Sequence, residues 1–194
     1  MAKIDIFKES IIVDSFINSN IDERIKKILQ EEKNNNEGNI ITNVKGFQSK
    51  NILDKILCES ILKKTFELIN NWFNFNPNYK LRLQNIWINE NYKNCFNTVH
   101  QHPRCNFSGV YYTEVPEDSG ELVFCRNDTA GNMMVENDMF KNNDLSFNQF
   151  YTIQPLKNQI VIFPSHLNHM VLSNNNEESR ISVAFNLDLF KDNK

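Results

Sequence analysis

The 194-residue sequence is 40% hydrophobic and holds 15 phenylalanines, enough to bury a core within one domain and too apolar for a disordered chain. A formal net charge of −3 with no basic run lacks the electrostatic footprint of a nucleic-acid binder. No apolar stretch approaches the roughly 20 residues needed to cross a bilayer, the first residues lack a signal-peptide core, and the four cysteines form no C-x-x-C pair, so the expectation is a cytoplasmic protein with no membrane partner, zinc ribbon or disulfide framework.

Residues 4–17 alternate apolar stretches with charge and predict an early strand. Residues 22–30 read as a short helix with Ile21, Ile25 and Ile28 on one face. An Asn-rich loop closed by Gly38 follows, then a turn at Gly46-Phe47-Gln48-Ser49. The clearest helix is predicted over 51–75. There Ile52, Leu53, Ile56, Leu57, Ile61, Leu62, Phe66 and Ile69 recur near a 3.6 period, with Lys and Glu on the other face. Asn76-Pro77-Asn78 ends it.

From Tyr79 the pattern changes to short strands. Leu81, Leu83, Asn85, Trp87 and Asn89 alternate with Arg82, Gln84, Ile86 and Ile88. Residues 109–114 and 121–125 are strand-like on either side of the turn Pro116-Glu117-Asp118-Ser119-Gly120. Residues 126–148 carry little periodicity and are expected to form a long loop that covers a site. Segments 150–153, 160–163, 169–172 and 180–187 complete the set. Helices followed by about eight strands predict a mainly β (α+β) fold. The sequence thus divides into a helical part at about 1–76 and a jelly-roll core at about 79–190.

Two of the four histidines, His100 and His102, stand one residue apart. On a strand, residues i and i+2 face the same side, so both imidazoles can reach one ion. A third ligand must come from another strand. His169 is the first candidate and His166 the second. Imidazole suits several transition metals, and three protein ligands leave open positions, as catalytic sites do.

Arg180 opens the apolar run Ile181-Ser182-Val183-Ala184-Phe185-Asn186. If buried, it needs an anion, and its planar fork fits a carboxylate. Ser182 faces the same way, and Tyr112 shares a face with Ser108 and Val110 and can add a phenol. Cys105 lies on the opposite parity from His102 and is assigned a structural role.

These residues form motifs in order: His-x-His-Pro, Ser-Gly-Val-Tyr-Tyr, Ser-Gly-Glu-Leu-Val-Phe, Phe-Pro-Ser-x-x-x-His-x-Val and Glu-x-Arg-Ile-Ser-x-x-Phe-Asn. Together with Gly46-Phe47-Gln48-Ser49 and Ile86-Trp87-Ile88-Asn89 they resemble the 2-oxoglutarate/Fe(II) oxygenase family of phage and marine bacterial type. The resemblance implies a double-stranded β-helix (cupin-like jelly roll) and a dioxygenase, in all expectation a hydroxylase. It implies Fe(II) on His100, His102 and His169. It implies 2-oxoglutarate with its distal carboxylate on Arg180, Ser182 and Tyr112, and O2 as co-reactant. His166 becomes a rim or substrate-side residue, and no protein general base is required. The wider superfamily usually has a carboxylate where His102 stands. Two other readings follow from that departure: a cupin-like three-histidine metalloenzyme that does not use 2-oxoglutarate, and a catalytically silent jelly-roll binding protein. The substrate, peptide or small molecule, is not specified by any motif.

Overall fold

The computed structural model describes residues 9–73, 76–126 and 149–191, so the predicted loop over 126–148 lies, apart from Arg126, outside the described residues. No described helix is long and apolar enough to cross a membrane.

Helix α1 (Ser19–Asn35) starts where Asn18 caps it, its side chain accepting from the Ile21 N–H at 3.3 Å, with Asp22 in the first turn. Ile21, Ile25 and Leu29 form its buried stripe. It runs five residues past the predicted end. The extra turn is polar, but Lys33 in it reaches the Glu90 carboxylate at 2.7 Å, a tertiary anchor that periodicity does not reveal.

Helix α2 (Lys55–Phe73) begins later than expected, because Asp54 accepts from the Leu57 N–H at 2.9 Å and so acts as a cap. Arg24 of α1 grips the same carboxylate at 2.6 and 2.5 Å, tying the two helices together. Ile52 precedes the helix but is still buried, since its N–H bonds the Ile86 carbonyl at 2.8 Å.

The remaining elements form two antiparallel sheets. The six-stranded sheet has the order β1 (Ile12–Ser15), β9 (Gln159–Pro164), β6 (Phe107–Glu114), β11 (Arg180–Lys191), β4 (Tyr79–Asn91), β3 (Phe47–Gln48). The five-stranded sheet has the order β2 (Asn43–Val44), β5 (Phe96–His100), β10 (Asn168–Val171), β7 (Leu122–Cys125), β8 (Phe150–Ile153). The early strand pairs with β9, so the N-terminal segment closes one edge of the sheet.

Period-two alternation divides the larger sheet into two faces. Val183, Phe185 and Leu187 of β11, Tyr111 of β6 and Ile160 and Ile162 of β9 pack with Ile25, Leu57, Ile61 and Ile69 of the helices. The alternate residues turn toward the smaller sheet, where Tyr112, Leu122, Phe124, Val161 and Phe163 form a second cluster.

One alternation breaks. Asn186 opposes Asn85 and Leu187 opposes Leu83, so Gln84 is left unopposed as a bulge in β4. Leu81 and Leu83 therefore share the helix-side core with Ile86 and Ile88, and not the face of Asn85, Trp87 and Asn89. The single parity expected across 81–89 is switched by the bulge.

Gly109 of β6 is a close-approach position. A Cβ there would overlap the buried Phe185 ring and lie 2.9 Å from the Val161 carbonyl oxygen. Gly109→Val should cost about 1–3 kcal/mol or more by overpacking, read as a lowered midpoint in urea with unchanged m-value.

Candidate functional site

His100 ends β5 and stands directly opposite His169 on β10. His102 lies beyond the strand, in a turn. That turn is tied from several sides: the His102 N–H donates to the Ser165 carbonyl at 2.9 Å, the Cys105 thiol donates to the His102 carbonyl at 3.2 Å, and the Gln84 amide donates to the Arg104 carbonyl at 3.2 Å. The two imidazoles thus reach the same side as a strand would place them, but through a braced turn. Cys105 serves the brace, as its assigned structural role requires.

The three imidazoles each offer one ring nitrogen, and these atoms all lie within 4.8 Å of one another. His102 Nε2 and His169 Nε2 are 3.3 Å apart. Nδ1 of His100 sits 2.7 Å from the Thr98 carbonyl oxygen, and Nδ1 of His169 sits 2.9 Å from that of Leu167. Those carbonyls only accept, so each Nδ1 carries the proton and each Nε2 keeps a lone pair for an ion.

Burial pushes all three pKa values down, to about 4 for His102 and about 3 for His169, with the neighbouring His100 a second cause for both. The site is therefore three neutral imidazoles at pH 7, a donor set suited to a divalent transition metal. In the metal-free protein the unfolded chain takes up protons below the ordinary histidine pKa of 6.5 while folded His102 and His169 resist until about 4 and about 3. Stability should therefore fall as pH drops through that window. The slope is at most about 1.4 kcal/mol per pH unit per histidine. Urea melts in chelator at pH 7 and pH 5 measure it, and equal midpoints would contradict the shifts.

Arg180 begins β11 and is 2% exposed. Its Nη1 donates to the Ser119 and Gly120 carbonyls, both at 2.7 Å. Gly120 adopts φ +88°, and a Cβ there would collide with the Leu172 carbonyl, so the 116–120 turn can press against the guanidinium only with glycine at this place. Nε of Arg180 is buried with no hydrogen-bond partner. Burial lowers the guanidinium pKa and raises that of the buried Tyr112 phenol. Ser182 stands opposite Asn89 on one side and Tyr112 on the other, so the three occupy one row. An interior cation with a free donor edge, next to two hydroxyl-bearing side chains, is suited to an incoming anion.

One cavity of about 600 Å³ between the sheets is lined by His100, His102, His169, Arg180, Ser182 and Tyr112. It brings together the predicted metal and anion residues. His166 is not among the lining residues; it is exposed and its Nε2 lies 2.9 Å from a Glu9 carboxylate oxygen. Sequence reasoning assigned no role to Asn85, Asn89 and Asn186, which also line the cavity. In the sequence Asn85 and Asn89 read only as polar partners in the alternation with Ile86 and Ile88, and Asn186 as one polar residue in the run after Arg180.

The family model described as "Putative 2OG-Fe(II) oxygenase" matches residues 85–186, just over half of the chain. No curated protein matches in sequence. Among solved structures, the chain is similar to a Pseudomonas putida prolyl-4-hydroxylase at 15% identity and TM-score 0.59, covering 92% of each chain. It is similar to HygX of Streptomyces hygroscopicus, solved with nickel, 2-oxoglutarate and hygromycin B, at 12% identity and TM-score 0.62, covering 93% of this chain and 83% of HygX. It spans 53% of an oxidoreductase of the 2OG-Fe(II) oxygenase family from Burkholderia pseudomallei, at 14% identity, 70% of this chain and TM-score 0.47. The first two likenesses share the double-stranded β-helix fold with this chain.

Proposed function

The chain belongs to the 2OG-Fe(II) oxygenase family, and from that premise we propose that His100, His102 and His169 hold its Fe(II) and that Arg180, Ser182 and Tyr112 hold the distal carboxylate of its 2-oxoglutarate. The protein is a 2-oxoglutarate- and Fe(II)-dependent dioxygenase. The charged residues that line the cavity, among the described residues, are Arg104 and Arg180, so we read its reaction as hydroxylation of a neutral or anionic substrate. Bound iron and 2-oxoglutarate supply the oxidising power: 2-oxoglutarate and O2 give succinate and CO2 while the second oxygen atom enters a substrate C–H bond.

The chain's own residues account for the rest. The carbonyls of Thr98 and Leu167 orient two imidazoles with Nε2 free. The Ser119 and Gly120 carbonyls fix the Arg180 fork so that its Nε edge is left for the cosubstrate. Burial of Tyr112 and Ser182 removes water from that end, which strengthens each hydrogen bond made there. The observation that carries the reading is Arg180. In a three-histidine metalloenzyme without 2-oxoglutarate, or a silent binding protein, Arg180 would keep its two carbonyl bonds, but its buried Nε would have no partner to offset its desolvation.

The test is spectroscopic. Purified without oxygen, loaded with Fe(II) and titrated with 2-oxoglutarate, the protein should develop the weak visible charge-transfer band of the chelated 2-oxo acid. Iron bound with no band at saturating 2-oxoglutarate would reject the reading.

A further inference from the structure

Resting on the functional reading above, we infer that Asn85 and Asn186 form a subsite for an amide group of the substrate, with its N–H donated to Asn85 Oδ1. The two asparagines are directly opposed across β4 and β11. They line the same cavity as the histidines, and Trp87, one row closer to Arg180, packs its ring 5.8 Å from that of His102. Asn186 is 6% exposed, and its Oδ1 accepts from the Ser108 hydroxyl at 2.7 Å. That bond fixes the amide orientation and leaves its NH2 as a donor. Asn85 makes no side-chain hydrogen bond among the described residues, and its Oδ1 is buried without a partner.

A buried unpaired amide oxygen costs about 1–3 kcal/mol, so its retention points to a ligand. 2-Oxoglutarate is not that ligand. As a dianion it has only acceptors, and Asn85 Oδ1 needs a donor. Register also separates them: Asn186 lies four residues beyond Ser182 along β11, about 13 Å at the usual strand rise. A cation is not suited either. No Asp, Glu or Lys lines the cavity among the described residues, whose formal charges are Arg104 and Arg180.

What fits is a neutral planar group with a donor beside an acceptor. An amide donates its N–H to Asn85 Oδ1, accepts at its carbonyl from the Asn186 NH2, and lies beside the flat apolar face of Trp87. The bulge at Gln84 aims Asn85 into the cavity, and the Gln84 side chain holds the turn that carries His102. The amide would thereby be placed next to the metal ligands.

The experiment uses the full chain loaded with Zn(II) and 2-oxoglutarate, which cannot turn over. Its side-chain NH2 resonances are followed while N-methylacetamide is titrated. Methyl acetate, the acceptor-only isostere, and 1,2-propanediol, a hydroxyl donor, serve as comparison probes. N-methylacetamide should shift the Asn85 and Asn186 signals saturably and bind about fivefold or more tighter than methyl acetate, the effect of one additional neutral hydrogen bond. Asn85→Leu should abolish that preference with the backbone spectrum retained, whereas the isosteric Asn85→Asp, which keeps an acceptor oxygen at this place, should preserve it. No saturable shift, equal affinity for the amide and the ester, or tighter binding of the diol would overturn the assignment. If 2-oxoglutarate itself fails to bind, the functional reading fails; if it binds and the amide does not, only this subsite fails.

Discussion

Arg180→Ala should raise the dissociation constant of 2-oxoglutarate by about a hundredfold or more while Fe(II) still binds. The magnitude follows from burial. Truncating one partner of a buried hydrogen-bonded charge pair costs about 2–5 kcal/mol, which is 30-fold to several thousandfold in affinity. Arg180 is 2% exposed and its Nε has no protein partner, so the pair it makes with a carboxylate is desolvated on every side. The residue also has a structural duty, because its Nη1 ties down the Ser119 and Gly120 carbonyls. Alanine could therefore act through the turn. Arg180→Lys separates the effects. Lysine keeps the charge but not the planar fork, so it cannot serve both the two carbonyls and a carboxylate. Both variants should weaken the charge-transfer titration, lysine less than alanine, at unchanged iron stoichiometry. Unchanged 2-oxoglutarate affinity in Arg180→Ala would remove Arg180 from the cosubstrate site.

Much of this site was readable from residue type and spacing, and the parts that were not share a physical cause. His100, His102 and His169 stood out because imidazole is scarce in this chain and because i, i+2 spacing has one geometric meaning on a strand. His102 then reaches the cluster from a turn, since Ser165 holds its backbone N–H. The spacing gave the right neighbours, but the long-range bond that places them is invisible in local sequence. The α2 start shows the same limit: Asp54 caps that helix and is itself held by Arg24, thirty residues away. Ile52 and Leu53 looked helical because periodicity cannot see a cap supplied by tertiary contact.

The β4 parity switch is the most consequential case. One extra residue at Gln84 moves Asn85, Trp87 and Asn89 to the cavity while Leu81 and Leu83 stay with the helices. A bulge leaves no compositional mark in a strand without glycine or proline. The asparagines therefore read as ordinary alternation, although they supply two of the buried unpaired atoms that face the cavity.

His169→Ala should abolish both stoichiometric Fe(II) binding and 2-oxoglutarate turnover, and it should do so more completely than any outer-shell change. Mutating a hydrogen-bond partner of a metal ligand typically costs about 10–100-fold, so loss of the ligand itself should exceed about a hundredfold. His169 is the most buried of the three, 4% exposed, and is held on both flanks because β10 lies between β5 and β7. Its Nδ1–H is fixed on the Leu167 carbonyl, which turns its Nε2 toward that of His102. His166, the other candidate for third ligand, pairs with Glu9 at the surface outside the cavity. His166→Ala is therefore expected to retain full iron stoichiometry. Metal analysis after anaerobic desalting and succinate release provide the two readouts. Iron retained in His169→Ala, or lost in His166→Ala, would reassign the third ligand. The departure at His102 supplies the complementary measurement. His102→Asp exchanges a neutral ligand for an anion and so lowers the net charge of the metal centre. It should retain iron and shift the charge-transfer band, whereas His102→Ala should lose both, because only the first leaves a ligand at position 102.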